Sequence, residues 1–346
     1  MRKRLFFWGI VVFFLCCHFM YSIEIKLLKQ WRHNCDLGGE VSHCLLDNDD
    51  NIILVHRPGI SLVNEKQFVN FAKWGQGPNE IENVYAICEY MDDLAVFEFL
   101  NKLKLFKKSA EGYSGKNRKW LKSNPSSYYL KDAFFVKDRF FLGGLVIIST
   151  QKGKLNGALL KVYNDKSGQS EEDLIPVQYP EPSRYNEIRK HFAVDGDHLF
   201  FLSQHEMKAY QISLNEIALE KTIEVKIPDF YVPMPKSFFV YKRYEDNLGF
   251  VRDIESWLTS YSAVTRMAVL QGGYLVIQVR TCNTNLKKFA LLFYNIRNSF
   301  SLDKVFYMND LLLAGRKDLL YCIHNGDPME DEAANRLTID VYQLIQ

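Results

Sequence analysis

The sequence predicts an all-β protein, a six-bladed β-propeller with four-stranded blades. Two observations predict this fold. Aromatic residues are abundant, with 25 Phe and 19 Tyr among 346 residues, and such residues favour strands over helices. One unit also recurs along the chain: a short apolar strand, a tight polar turn and a second apolar strand. The recurrence indicates blades arranged in a ring, because each such unit needs a neighbour to cover its apolar face.

Six predicted hairpins carry the repeat. Their turns are rich in Asn, Asp and Gly, which tolerate the positive φ angles that two-residue hairpin turns require. Most of the turn-to-turn intervals are close to the period of four-stranded propeller blades, about 45 residues. The turns lie at 48–50, 92–93, 137–138, around 196, at 272–273 and at 316–317.

The two ends of the propeller domain, residues 23–346, are predicted to belong to the same blade. The sixth unit ends with a single strand, RLTIDVYQLIQ, so one blade is a strand short. Near the start of the domain, IEIKLLKQW is a strand candidate with no neighbour before it. We predict that this N-terminal strand completes the last blade and closes the ring, which leaves no open edge strand.

Two intervals are longer than the period. In the third blade the surplus falls on the polar stretch Asp165–Glu172, predicted to be a surface loop. Between the fourth and fifth blades lies an aromatic-rich insertion at about residues 228–262, in which three prolines interrupt any strand and Asp253 begins a predicted short helix. The insertion is either a partner surface or packs down on the blades. The candidate ligand-binding residues are Tyr241, Arg243, Tyr244, Trp257 and Arg280.

The N-terminus is typical of an export signal. Arg2, Lys3 and Arg4 precede the run from Leu5 to Ile23, which contains no Asp, Glu, Lys or Arg. A basic segment followed by an apolar one directs export, because the bilayer accepts the apolar part while the positive end stays inside. Residues 1–22 are therefore a signal peptide or a membrane anchor, and both alternatives stay open. The domain is expected in the periplasm or facing the exterior, with membrane contact through this segment alone.

The charge of the remaining chain is balanced, with 40 basic against 41 acidic side chains once residues 1–22 are removed. This balance excludes the overall positive charge typical of nucleic-acid binding. A local excess of basic residues runs from Lys102 to Lys122. It forms either a patch for anionic glycans or lipid headgroups or a solvated outer strand that resists aggregation.

No catalytic residue, metal site or cofactor is predicted. The chain lacks the GxSxG, P-loop, HExxH, GxGxxG and CxxC patterns. The run Asp47–Asn51 has the acidic character of a calcium loop but lacks the required Gly and Glu, so it is interpreted as a hairpin turn. Export permits disulfides, also for Cys35. However, four other cysteines lie in apolar runs and are expected to be buried thiols: Cys44, Cys88, Cys282 and Cys322.

The segment Trp74-Gly75-Gln76-Gly77-Pro78-Asn79-Glu80 resembles a G-x-G-P-x-E motif of exported six-bladed propellers from Bacteroidetes-type bacteria, which are related in fold to TolB-like and NHL-repeat propellers. Gly75, Gly77, Pro78 and Glu80 match this motif, while Ile81 replaces the usual aromatic residue. The resemblance implies the fold and an envelope location, and no activity. We interpret the motif as a rigid corner between blades, with the Glu80 carboxylate accepting backbone N–H groups close to the central channel.

The function expected from these features is a non-enzymatic, monomeric binding or scaffolding propeller of the cell envelope. It would engage a protein or glycan partner through one face of the ring. The alternative is a metal-dependent hydrolase or lactonase acting in the channel, as in some six-bladed propellers. That chemistry requires several carboxylates on the inner strands, of which Glu89 is the identifiable one.

Overall fold

The computed structural model describes residues 23–35, 37, 41–98, 102–109, 112–120, 128–151, 154–180, 190–203, 207–233, 260–282, 285–326 and 336–345. Within these ranges the chain forms 25 β-strands in six sheets. The first strand, β1 (Glu24–His33), belongs to the sheet that contains the last strand. The fold is a six-bladed β-propeller, as predicted.

The first three blades follow one another in chain order, and each is an antiparallel meander. Blade 1 consists of β2 (His43–Leu46), β3 (Ile52–His56), β4 (Gly59–Val63) and β5 (Phe68–Trp74), and a short β6 (Glu80–Ile81) pairs in parallel with β5. Blade 2 consists of β7 (Ala86–Tyr90), β8 (Asp93–Glu98), β9 (Lys102–Ser109) and β10 (Gly112–Trp120). Blade 3 consists of β11 (Tyr128–Val136), β12 (Arg139–Gln151), β13 (Lys154–Asn164) and β14 (Ser170–Pro180).

The last three blades repeat the arrangement. Blade 4 consists of β15 (Lys190–Asp195), β16 (His198–Ser203), β17 (Lys208–Ser213) and β18 (Ala218–Glu224). Blade 5 consists of β19 (Ala263–Leu270), β20 (Tyr274–Arg280), β21 (Phe289–Asn295) and β22 (Ser301–Met308). Blade 6 consists of β23 (Leu311–Arg316), β24 (Leu319–Ile323) and β25 (Leu337–Ile345), with β1 as its outermost strand.

The first strands of the blades in chain order form the centre of the ring, and we call them the inner strands. Contacts between neighbouring inner strands run in the order β2, β7, β11, β15, β19 and β23, and from β23 back to β2. The inner strands therefore surround a central channel to which every blade contributes. Residues far apart in sequence are brought together there, because each blade supplies only one of these strands.

Burial is greatest in the middle strands of a blade and least in the outermost strand. Every residue of β3 and β4 is buried, and β21 is buried except for its last residue. Strands such as β3 and β21 are covered on both faces by neighbouring blades, so their sequences are nearly continuous apolar runs. The outermost strands β18 and β1 are mostly exposed instead.

The predicted hairpin turns between first and second strands are present, and several use positive φ angles. Lys137 and Asp138 have φ angles of 49° and 61°, the combination that a type I′ turn requires. Turns of neighbouring blades also contact each other, so they lie on one face of the ring, which we call the hairpin face. The contacts are Lys137 to Asp197 for blades 3 and 4, Gln271 to Lys317 for blades 5 and 6, and Arg316 to Asp50 for blades 6 and 1.

The expected surface loop at Asp165–Glu172 is wrong in extent. The turn is short, and β14 begins at Ser170, with Glu172 opposite Val162 of β13. The surplus residues of blade 3 instead lengthen its strands, since β12 has 13 residues and β13 and β14 have 11 each. The four consecutive polar residues that begin β14 are compatible with a strand because it is the outermost one of its blade and they are exposed.

Some expectations concern residues outside the described ranges. These are the export segment 1–22 and residues 234–259 of the insertion, which include the predicted helix. The described base of the insertion is held to blade 5: the backbone N–H of Val232 donates to Ser262 Oγ at 3.1 Å, and Tyr294 donates to the Lys226 carbonyl at 2.7 Å. Among the described residues, no helix has the length and apolar character needed to cross a membrane.

The N-terminal strand pairs with the C-terminal strand. β1 is antiparallel to β25, from Glu24 opposite Ile345 to His33 opposite Leu337, with an irregularity between Leu27 and Lys29. Trp31 is buried in this strand, with its ring centroid 5.5 Å from that of Tyr321. That this strand keeps the ring closed, as the sequence predicts, is a separate claim that deletion can test.

We expect deletion of residues 23–31 to abolish stable folding of the propeller. Loss of a buried Trp side chain alone costs about 3 to 5 kcal/mol, and the deletion also exposes the edge of β25. The measurement is the urea unfolding midpoint, followed by circular dichroism and size-exclusion chromatography. The matched control is Leu28→Ser in the same strand, since Leu28 is 53% exposed. A truncated domain that unfolds at the same midpoint as the control contradicts the prediction.

Candidate functional site

The central channel contains a cavity of about 290 Å³ lined by residues from all six inner strands. In β2 and β23 the lining residues are Cys44–Leu46 and Leu313–Arg316, the part of each strand next to its hairpin turn. The cavity therefore lies toward the hairpin face. Most lining residues are apolar, and four carry charge: Glu89 on β7, Asp132 on β11, Arg266 on β19 and Arg316 on β23.

Arg316 joins blade 6 to the first hairpin turn of blade 1. Its Nη1 donates to the Asp47 carbonyl at 2.5 Å and lies 3.1 Å from Asp50 Oδ1, while Nη2 donates to the Leu46 carbonyl at 3.1 Å. These partners use much of the guanidinium's donor capacity. Arg316 therefore stabilises the junction between the last and first blades at the channel mouth.

Glu89 lies on the wall formed by blade 2. Its Oε1 accepts a hydrogen bond from the Asn48 backbone N–H at 3.0 Å, which ties blade 2 to the same turn. Burial raises the pKa of Glu89, and the Asn48 hydrogen bond and the charge of Arg316 only partly oppose this. The carboxylate makes no ion pair within the described part of the chain.

Asp132 connects the inner strands of blades 3 and 4. One of its oxygens accepts from the Ala133 N–H at 2.9 Å and the other from the Phe192 N–H at 3.2 Å. Burial raises the pKa of Asp132 to about 7, although both hydrogen bonds and the positive charge of Arg266 lower it. Asp132 thus titrates near neutral pH, which is unusual for an aspartate and typical of functional sites.

Arg266 extends from blade 5 toward blade 1. Its Nη1 donates to the Thr265 carbonyl at 2.9 Å, and its Nη2 donates to the carbonyl of Val41, just before β2, at 3.3 Å. Its buried Nε has no hydrogen-bond acceptor among the described residues. A buried donor without an acceptor is costly. Each terminal nitrogen uses one of its two N–H groups in the bonds above, so Arg266 can still donate two N–H groups to a ligand.

Two thiols also line the channel. Cys44 Sγ donates to the Leu313 carbonyl at 2.8 Å, and burial raises the pKa of Cys88 well above its usual value, with Asp132 and Glu89 adding to the effect. Burial likewise raises the pKa of Cys322. Cys44, Cys88, Cys282 and Cys322 are all free thiols; Cys88 and Cys322 are buried as predicted, whereas Cys44 and Cys282 are only half-buried because they lie at the channel and just after the end of β20, respectively. Thiols held in the neutral form, as at Cys88 and Cys322, are poor nucleophiles and poor metal ligands.

The run Asp47–Asn51 forms the hairpin turn predicted from the sequence. The buried Asp47 carboxylate accepts from the backbone N–H groups of Asp49 and Asn51, both at 2.9 Å, and from Tyr113 at 2.9 Å. Lys108 Nζ lies 2.9 Å from the same carboxylate. Burial alone would raise the pKa of Asp47, but these hydrogen bonds outweigh it and lower the pKa. The Asp47 carboxylate therefore stabilises the hairpin turn and its contact with blade 2.

The basic stretch that begins at Lys102 is partly consumed by contacts with blade 1. Lys104 is only 1% exposed, and its Nζ donates to the carbonyls of Gly77 and Glu80. Lys108 pairs with Asp47 and with Asp49, the latter at 2.7 Å. These described lysines neutralise acids or bind carbonyls between blades, which leaves less charge for a surface patch than the sequence suggests.

The glycine motif forms a corner at the outer side of the ring. The Gly77 N–H donates to Glu80 Oε2 at 2.6 Å, as interpreted from the sequence. Asn79 Oδ1 accepts from the N–H of Gly115, in β10, at 2.7 Å. The expected position close to the channel is wrong, because the segment after β5 turns against the third and outermost strands of blade 2. Pro78 takes part in this packing through its carbonyl, against which Gly115 has no room for a side chain.

A second polar cluster lies in blade 6, away from the cavity lining. Asp310, His324 and Asp340 are close enough to hold a metal ion, but all four carboxylate oxygens already accept hydrogen bonds. His324 Nδ1 is 2.6 Å from Asp340 Oδ2, and Gln30 of β1 donates to Asp340 Oδ1 at 2.6 Å. Asn325 and Tyr342 donate to Asp310. We interpret the cluster as a network that attaches β1 to its blade.

The candidate ligand-binding residues of the sequence analysis are not brought together by the described structure. Tyr241, Arg243, Tyr244 and Trp257 lie outside the described residues, so their role stays a prediction. Arg280 is the half-buried last residue of β20, opposite Ala263 and Phe289. It belongs to the second strand of blade 5 and does not line the channel cavity.

Three of the charged channel residues were missed in the sequence analysis, which identified Glu89 alone. Asp132, Arg266 and Arg316 each lie within or at the end of an apolar first strand: YYLKDAFFV, AVTRMAVL and LLLAGR. A charged residue in such a strand is the signal that would have found them. The inner strand borders the channel and consecutive residues of it line the cavity, so a charged side chain in that strand can reach the channel.

Comparison with known proteins supports the fold. No protein-family model matches the chain, and no curated protein matches its sequence. Among solved structures, a member of the DUF4221 family from Bacteroides vulgatus superposes with a TM-score of 0.60 at 12% identity, covering 94% of this chain and 99% of that one. A protein from Bacteroides fragilis thought to be exported gives a TM-score of 0.57 at 11% identity, covering 94% and 96%.

A more distant structure has a known cofactor. The PQQ-bound form of an aldose sugar dehydrogenase from Streptomyces coelicolor superposes with a TM-score of 0.52 at 9% identity, covering 94% of this chain and 99% of that one. At these identities the likeness shows the fold alone. The fold is thus shared with a protein thought to be exported and with an enzyme, and the fold alone does not decide between these functions.

We predict that Asp132 makes the domain less stable as pH rises from about 4 to about 7. The folded state holds the Asp132 proton at pH values where the unfolded chain, with an ordinary aspartate, has lost it. Unfolding free energy therefore falls with rising pH in this window. In urea titrations at pH 5, 6, 7 and 8, Asp132→Asn should become progressively more stable relative to the parent. Asp92→Asn, in an exposed turn, is the control; a pH-independent difference for Asp132→Asn contradicts the prediction.

We also predict that Gly75→Ala disrupts the motif corner. Gly75 has a φ of 152°, and an added Cβ would lie 2.3 Å from Glu80 Oε2, so the substitution should cost about 1 to 3 kcal/mol. Gly112→Ala is the matched control, since it also has a positive φ, 124°, but nothing lies within 4 Å of its added Cβ. Thermal unfolding of both variants measures the difference. Equal losses would show that φ strain, and not the contact with Glu80, accounts for the glycine.

Proposed function

We propose that this chain is an exported, non-enzymatic binding propeller of the cell envelope that engages a protein or glycan partner through the hairpin face. The observation that carries the proposal is the channel cavity, which lies toward that face and presents charged groups of both signs within an apolar lining. Apolar cavities with a few placed polar groups are the common form of binding sites. These groups lie on strands of the ring, so no loop has to become ordered before a partner binds to them.

The turns around the cavity have the composition of a recognition surface. Met91 is 58% exposed at the turn of blade 2, and Met is enriched in protein interfaces. The side chains of Asp49 and Asp197 are 68% and 64% exposed, and Lys317 is exposed at the turn of blade 6. An exposed methionine among charges of both signs suits a polar protein or glycan surface better than a nucleic acid.

The envelope location is supported by two independent features. Residues 1–22 have the charge and apolar pattern of an export signal, and one structural neighbour is thought to be exported. The free thiols do not oppose export, because Cys88 and Cys322 are buried and unreactive. The domain is proposed to act as a monomer in the periplasm or tethered to face it.

The alternative of a metal-dependent hydrolase has less support from the channel. Such enzymes need several oxygen ligands converging on one ion, whereas the described cavity lining contains two carboxylates, Glu89 and Asp132, and both already accept backbone N–H groups. The potential three-ligand group in the described part of the chain, formed by Asp310, His324 and Asp340, lies outside the cavity lining. The likeness to a sugar dehydrogenase concerns the fold.

The proposal predicts that immobilised propeller, residues 23–346, captures a defined partner from a cell-envelope extract of its own organism. The double variant Met91→Asn and Lys317→Asn should reduce capture about tenfold, and Asn preserves the positive φ of both turns. Ile345→Thr, 41% exposed on the outer side of blade 6, is the control and should capture normally. Quantitative mass spectrometry measures recovery.

A further variant carries a flexible linker in place of residues 234–259. It distinguishes partner binding by the hairpin face from partner binding by the insertion. Loss of capture by this variant alone would contradict the hairpin face and move the partner surface to the insertion. Failure to recover any partner from protein or glycan fractions contradicts the binding function.

A further inference from the structure

Charges of opposite sign stand on opposite walls of the channel. Glu89 belongs to blade 2 and Arg266 to blade 5, and these blades face each other in the order of inner strands around the ring. Asp132, on blade 3, lies next to Glu89's strand. Within the described chain, none of the three side chains forms an ion pair. The ring geometry keeps the groups apart, so they do not neutralise each other directly.

The charged groups of the channel lack ion-pair partners among the described residues. Asp132 and Glu89 accept hydrogen bonds from backbone N–H groups and, among the described residues, contact no cation. Arg266 donates one N–H from each terminal nitrogen to a carbonyl, which leaves a second N–H on each for a ligand. Separated charges in a partly apolar cavity are costly, because the lining solvates them less well than water does. A bound molecule with complementary charges at its two ends relieves both costs at once.

We propose that the channel cavity binds a small zwitterion, a free amino acid or related amino carboxylate, with its ammonium group toward Glu89 and Asp132 and its carboxylate toward Arg266. This inference rests on the proposed binding function and names the ligand class of its central cavity. The guanidinium offers directional N–H donors for a carboxylate. The apolar lining between the walls, which includes Ala268 and Leu313, accommodates the carbon chain of the ligand.

The other lining arginine does not compete for this role. Arg316 is bound to two carbonyls and to Asp50, so its charge is already balanced. The cavity volume of about 290 Å³ is at the lower end of small-molecule sites, about 300 to 1,000 Å³. This size favours a compact ligand over an oligosaccharide or a peptide.

The test is isothermal titration calorimetry on the purified propeller, residues 23–346, with molecules matched in size. The probes are amino carboxylates from glycine to 6-aminohexanoate, together with butylamine and butanoate, which each carry only one of the charges. We expect at least one amino carboxylate to bind about tenfold more tightly than either singly charged compound. If butylamine or butanoate binds as tightly as the best amino carboxylate, or if no amino carboxylate binds, the proposal is overturned.

Two variants assign the ends of the ligand. Arg266→Gln should weaken the best amino carboxylate about tenfold and leave butylamine unaffected. Because Arg266 also holds the Val41 carbonyl, thermal unfolding must show that this variant is folded. Glu89→Gln keeps an oxygen for the Asn48 N–H and should weaken the amino carboxylate several-fold without changing butanoate. Binding unchanged in Glu89→Gln and in folded Arg266→Gln contradicts the assignment.

The result of the calorimetry can be distinguished from the result of the capture experiment. Calorimetry on the pure domain requires no envelope partner, so a zwitterion can bind even if capture fails. Capture without zwitterion binding would retain the binding function and remove the ligand class proposed for the cavity. The exposed Asp92→Asn variant is the calorimetric control and should bind as the parent does.

Discussion

The buried carboxylate of Asp47 is the interaction on which the hairpin face depends. It ends the inner strand of blade 1 and shapes the following turn by accepting two backbone N–H groups. It also binds Lys108 and Tyr113 of blade 2. The carbonyl of the same residue accepts from Arg316 of blade 6. One residue thus connects three blades, and hydrogen bonds to a charged group are among the strongest available in a folded protein.

The geometry of the channel follows from this junction. The turn held by Asp47 presents the Asn48 N–H to Glu89 and the Asp50 carboxylate to Arg316, so two of the four charged lining residues are oriented by it. Asp132 and Arg266 lie farther round the ring and are oriented by backbone groups of blades 4 and 1 instead. The four charged lining residues therefore fall into two groups. Arg316 is committed to holding blades together, whereas the other three retain unmatched charge.

The fold could be predicted from sequence because its signals are local. Hairpin turns such as Lys137-Asp138 mark the blades, and strands such as IILVH show by their continuous apolar character that they are covered on both faces. The pairing of β1 with β25 was also predictable, since a lone final strand and an orphan first strand were both visible. Other features were not local. The motif corner lies against β10 through contacts of Pro78 and Asn79 with Gly115, a residue more than thirty positions away in sequence. The surplus of blade 3 lengthened strands where polar residues suggested a loop.

The site was harder to predict because a propeller distributes it. Glu89, Asp132 and Arg266 come from three blades separated by tens of residues, so no motif of fixed spacing marks them. Each is a charged residue within a largely apolar inner strand, and its meaning depends on that strand bordering the channel. Which strands border the channel becomes clear only once the six blades are assembled. The absence of a catalytic motif therefore does not make the channel inert: in the proposed site each charged group comes from a different blade, and the charges without an ion-pair partner among the described residues are the ones expected to specify the ligand.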